Sequence, residues 1–117
     1  MSHRMAQVNS NIQRIFGEIL LREAHVPNDV LITISRVDTT RNLKSTTIWL
    51  YIMPTDRGEE IMKTLKPQMY DLQGSFNRIW ESNPLPRVHL RLDHGAEHAE
   101  RIERRFKDIE PINDATE

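Results

Sequence analysis

VLITISRVDTTRNLKSTTIWLYIM, residues Val30 to Met53, carries two β-rich runs on either side of a polar segment, Thr39 to Lys44, that holds two cationic residues, Arg41 and Lys44. Val, Ile, Thr, Trp and Tyr dominate both runs, the residue types that suit a pleated, half-buried surface. Side chains alternate along a strand, so Thr46, Ile48, Leu50 and Ile52 share one face, with Lys44 in line at the loop end. Trp49, Tyr51 and Met53 share the other. One face can serve a core while the opposite face still carries aromatics. In the first run Ile32 and Ile34 share a face, yet Val37 has the opposite parity, which predicts a β-bulge near Ser35–Arg36.

Upstream, Val8, Ile12, Ile15, Phe16, Ile19 and Leu20 recur at helical spacing, and Pro27-Asn-Asp29 stops that helix before the first strand. Downstream, Pro54 to Gly58 reads as a turn. From Glu59 to Trp80, Ile61, Leu65, Met69, Leu72, Phe76 and Ile79 form one apolar stripe, interrupted by Pro67 and Gly74. Proline lacks an N–H and glycine is a weak helix former, so a bent or broken helix pair is expected rather than a straight rod. Ser82 to Pro86 resets the chain to extended conformation. A last strand then points Val88, Leu90 and Leu92 inward and Arg87, His89, Arg91 and Asp93 outward. Ala96 to Phe106 is expected to form one more helix. The order is that of a two-layer α+β domain, with a three-stranded sheet and helices on one face.

The chain has 117 residues and no cysteine, which excludes disulfides, thiolate metal sites and cysteine nucleophiles. One domain over residues 1–107 is expected, followed by an acidic tail at 108–117. No apolar stretch approaches the roughly 18 residues of a membrane span, and the first ten residues lack a signal-peptide apolar region, so a cytoplasmic protein is expected. The formal net charge of −1 is unevenly spread: residues 1–92 sum to +3 and residues 93–117 to −4. The folded part is mildly basic, and the acidic end hides it in the total.

Three stretches, in order and spacing, are similar to the ribosome-binding factor A family. Val8–Glu23 resembles its opening helix. Val30–Ile52 carries Thr40-Arg-Asn-Leu-Lys44 where the family has Ser-Arg-Asp-Leu-Lys, so that Asn42 stands in place of an acid. Pro86–Ile102 resembles the Pro-x-hydrophobic-x-Phe-x-x-Asp ending. The resemblance implies an αββααβ fold of the type II KH class. It also implies binding to the immature small (30S) ribosomal subunit, contact with 16S ribosomal RNA and support of its maturation, without turnover chemistry, as a monomer. The family bends its helix pair at an Ala-x-Gly. The resemblance sets Leu72-Gln73-Gly74 at that place, with Pro67 as an alternative bend upstream.

A KH-type groove lies between the bent helix pair and the sheet, with cations on its rim for phosphates. The candidate RNA-binding residues are therefore Arg41 and Lys44 in the hairpin, Lys66 near the break, Gln73 and Gly74 at the expected bend, Arg78 on the second helix, and Arg87 and Arg91 on the last strand. Arg14, Glu18 and Arg22, four residues apart, form an exposed charged stripe. A rival reading is a protein-interaction module that docks a partner or a second copy through the Trp49/Tyr51 face. Salt separates the two, because phosphate binding weakens steeply with salt and an apolar interface does not. His94 and His98 have metal-like spacing but lack a third ligand, so no metal and no cofactor are expected. There is no Gly-rich phosphate loop and no G-x-S-x-G, and Glu59–Glu60 sit where acids favour a helix start, so an enzyme is not expected.

Overall fold

A computed structural model describes residues 3–95. The elements are α1 (His3–Glu23), β1 (Leu31–Thr39), β2 (Ser45–Met53), α2 (Gly58–Leu65), α3 (Met69–Ile79) and β3 (Arg87–Asp93). Single 3-10 turns at Thr55–Arg57 and Lys66–Gln68 precede α2 and α3. This is the expected αββααβ order. The expected Ala96–Phe106 helix, His98 and the 108–117 tail lie outside the described residues.

The strands form one sheet in the order β1-β2-β3, with β1 antiparallel and β3 parallel to β2. The register shifts between Ile34 and Arg36, leaving Ser35 as the extra residue. That slip is what the change of parity required: beyond it, Val37 pairs with Ile48 and Thr39 with Thr46, and all four are buried. Without the bulge, every later side chain of β1 would turn to the wrong face.

Ile48, Leu50 and Ile52 of the central strand are fully covered, and Val88 at the start of β3 is buried with them. They pack with Ile12, Phe16 and Ile19 of α1, Ile61 and Leu65 of α2, and Leu72 and Phe76 of α3. Ile32, Ile34, Leu90 and Leu92 join this core only partly, because β1 and β3 are the edges of the sheet and have a strand on one side alone. Phe76 lies at the centre of an aromatic cluster, with Phe16 tilted against it at 6.4 Å and Trp80 stacked on it at 5.4 Å. Trp80 thereby covers what Ile79 was expected to cover, and Ile79 is exposed. Gly58 is buried at the start of α2, where a Cβ would come within 3.0 Å of Leu92. Just before it, Arg57 reaches both oxygens of Asp29 at 2.9 Å and Glu60 at 3.2 Å, tying the loop before β1 to the first turn of α2. The hydrogen bonds that Arg57 donates to Glu60 and then to Asp29 raise its pKa.

The helix pair breaks at Lys66–Gln68 and not at Leu72-Gln73-Gly74. Gly74 lies inside the continuous helix α3, and Leu72 is a core residue. The energies explain the choice. A proline costs a helix interior about 3 kcal/mol and a glycine only about 1 kcal/mol relative to alanine, so the bend settles at Pro67.

Candidate nucleic-acid interface

Two glutamines tie the helix pair to the rest of the fold. Gln68 Oε1 accepts the His25 N–H at 2.8 Å, while its Nε2 donates to the carbonyls of His25 at 2.9 Å and Thr64 at 3.0 Å. The bend is thus held against the exit of α1. On α3, Gln73 Oε1 accepts the Val88 N–H at 2.8 Å, and its Nε2 donates to the Pro86 carbonyl at 3.0 Å and to Asn77 Oδ1 at 2.9 Å. Gln73, expected among the RNA contacts, anchors the start of β3 to the scaffold through its amide. Sequence reasoning missed Gln68 altogether, since nothing in local spacing signals a bond across 43 residues.

The bent pair and β3 enclose a hollow of about 550 Å³. Glu59, Met62 and Lys63 of α2 line it, with Lys66 of the bend, Met69 of α3 and Val88 to Arg91 of β3. Two cations, Lys63 and Lys66, face one carboxylate, Glu59, while Arg91 borders the hollow with its guanidinium turned to the other face of the sheet, over Trp49. Methionine and leucine walls with a cationic rim suit a nucleotide, whose base is apolar on its faces and whose phosphate is anionic. Lys66 and Arg91 were expected here. Lys63 and His89 were not singled out as site residues, although Lys63 lies one helical turn before Lys66.

A second hollow, of about 900 Å³, opens on the other side of α3. Gly74, Arg78 and Arg87 line it, together with Gln73, Tyr70 and Asp71. Ser75, buried, donates to Glu23 Oε1 at 2.5 Å and accepts from Arg78 Nη2 at 2.9 Å, which steers the Arg78 guanidinium along the helix. Met69 and Val88 line both hollows and form the wall between them. The eight candidates therefore divide: Lys66 and Arg91 border the first hollow, while Gln73, Gly74, Arg78 and Arg87 border the second. Arg41 and Lys44 line neither. They stand in the adjoining hairpin, where the Lys44 carbonyl accepts the Arg87 N–H at 2.9 Å. In that turn Asn42 Oδ1 accepts from the Thr40 hydroxyl at 2.8 Å and the Lys44 N–H at 3.0 Å, two bonds that an acid would make equally well.

On the opposite face of the sheet, Trp49 is flanked in register by Arg36 and Arg91, whose guanidiniums lie 4.8 Å and 5.1 Å from its ring centre. Trp49 and Tyr51 are both half-buried, and the Trp49 indole N–H is covered without a hydrogen-bond partner. Cations already occupy the ring faces that a docking helix or a base would need. Nearby, Ser35 hydrogen-bonds the Asp93 carboxylate, the Gly95 N–H donates to it at 2.9 Å, and Arg36 adds positive charge; together they lower the Asp93 pKa.

The fold and this sequence have known counterparts. The chain is 24% identical over 113 residues to a ribosome-binding factor A of Xanthomonas campestris pv. campestris (strain B100), covering 94% of this chain and 83% of that protein. It is 26% identical over 93 residues to the ribosome-binding factor A of Pseudomonas entomophila (strain L48), covering 77% and 70%. The crystal structure of ribosome-binding factor A from Thermus thermophilus superposes with a TM-score of 0.64 at 15% identity, over 74% of this chain and 92% of that one. The solution structure of a Thermotoga maritima candidate for the same factor gives 0.61 at 20% identity, over 82% and 91%. The likeness to these structures establishes a KH-like α+β fold. The family model described as ribosome-binding factor A matches residues 4–106, nearly the whole chain, which therefore belongs to the ribosome-binding factor A family.

Proposed function

We propose that this protein binds the immature small (30S) ribosomal subunit in the cytoplasm, as a monomer, and contacts 16S ribosomal RNA to support its maturation. One observation carries the reading: the bent helix pair and β3 enclose a hollow rimmed by Lys63 and Lys66, on a chain that is nearly neutral in total. Those two cations outnumber the one carboxylate in the lining, so the local potential favours phosphate despite the −1 net charge. No bond need be made or broken in the RNA. A protein that prefers one of two RNA arrangements shifts their populations by its difference in affinity for them. Family membership supports the choice of a ribosomal RNA over other RNAs.

Sedimentation of the tagged protein through a sucrose gradient tests this. It should travel with small-subunit and precursor fractions at low salt and leave them as salt rises. Absence from those fractions at low salt would overturn the reading.

A further inference from the structure

We propose that the second hollow, on the α3 side of Met69, is a nucleobase pocket that prolongs the RNA track beyond the bend, with an unpaired base stacked on Tyr70. The inference rests on the RNA reading of the first hollow.

Three observations carry it. The first is adjacency: Met69 and Val88 line both hollows, so a strand leaving the first meets the second directly across these two residues. The second is Tyr70, which lines this hollow and is 88% exposed, an aromatic ring that neither the core nor the sheet uses. Every base offers a π-face to such a ring, and stacking needs the base out of a duplex. The third is charge. Arg78 and Arg87 are balanced by Glu23 and Asp71 in this lining, whereas the first hollow keeps an excess of cations. Carboxylates repel a phosphate but accept from the amino groups of a base edge, so the second hollow suits the base and leaves phosphates to the arginines at its margin. The ligand class is single-stranded RNA long enough to span both hollows.

The test uses the full chain and fluorescently labelled single-stranded oligoribonucleotides of about four and about eight nucleotides, four being the run that a KH domain clamps. The parent should bind the longer strand more tightly. Tyr70→Ala should weaken that strand roughly 5- to 150-fold, the equivalent of one base stack, and lower the ratio of long- to short-strand affinity by the same factor. Because stacking releases no counterions, the salt slope for the longer strand should stay that of the parent. Tyr70→Phe should keep most of the affinity, which excludes a purely structural loss. If Tyr70→Ala binds the longer strand as the parent does, or if the parent gains nothing from added length, the pocket is not a base site and Tyr70 is left to a protein contact. If the parent binds neither strand, the RNA reading of the first hollow falls as well.

Discussion

The carboxamide of Gln73 takes the place of a neighbouring strand for Val88: it accepts the Val88 N–H at 2.8 Å and returns a bond to the Pro86 carbonyl at 3.0 Å. β3 is an edge strand, and these are backbone groups that its missing neighbour would otherwise satisfy. Gln73→Leu should therefore cost about 1–3 kcal/mol, the range for leaving covered polar groups unmet. Chemical denaturation measures the loss, and amide exchange should quicken first at Val88.

Gly74 gives a prediction of opposite sign. It lies mid-helix, and an added Cβ would touch only Arg78 at 3.8 Å. Gly74→Ala should stabilise the protein by roughly 0.5–1 kcal/mol through the lower entropy of the unfolded chain. A loss of stability would mean that α3 does not run as a regular helix through Gly74.

These two residues also show what the sequence could and could not disclose. Alternation in Ser45–Met53 and the parity slip at Ser35 are set by neighbours in the chain, so the sheet faces and the bulge were legible from residue types alone. The helical stripes of α1, α2 and α3 were legible for the same reason. The site of the bend was not, because Pro67 and Gly74 both interrupt the stripe, and the choice between them depends on the relative cost of each. Gln73 and Gln68 look like ordinary surface amides until folding brings Val88 and His25 beside them. The cationic rim was partly visible: Lys66 stood out, while Lys63 acquires meaning only once α2 packs beside β3, and the strand pairing turns the Arg91 guanidinium to Trp49.

Phe76 should be the most costly aromatic to truncate, since it touches both Phe16 and Trp80 and is fully buried. Phe76→Ala should destabilise by about 3–5 kcal/mol. A stability near that of the parent in urea unfolding would mean that the α1–α3 contact is misplaced.

Asp93 supplies an acid dependence. Its folded-state pKa lies below the unfolded value of about 3.9, first through the Ser35 hydrogen bond and then through the Gly95 N–H. Its contribution to stability is thus fully present above the unfolded pKa and is lost as pH falls through the lower folded one. Ser35→Ala should move the folded pKa back up and shift the acid-unfolding midpoint to higher pH. Carboxyl carbon shifts of Asp93, followed by NMR titration, measure the change directly.

The central claim is that Lys63 and Lys66 meet phosphates in the hollow beside the bend. The direct measurement is the dependence of RNA affinity on salt for the parent and for Lys63→Ala/Lys66→Ala, using one single-stranded oligoribonucleotide. Each lost phosphate contact should flatten the slope of log affinity against log salt by about 0.7, so the double variant should lose about 1.4 and bind more weakly at low salt. Both side chains are exposed, so folding should be nearly unchanged. A double variant that binds with the parent's affinity and slope would contradict the account and place the RNA contact elsewhere on the protein.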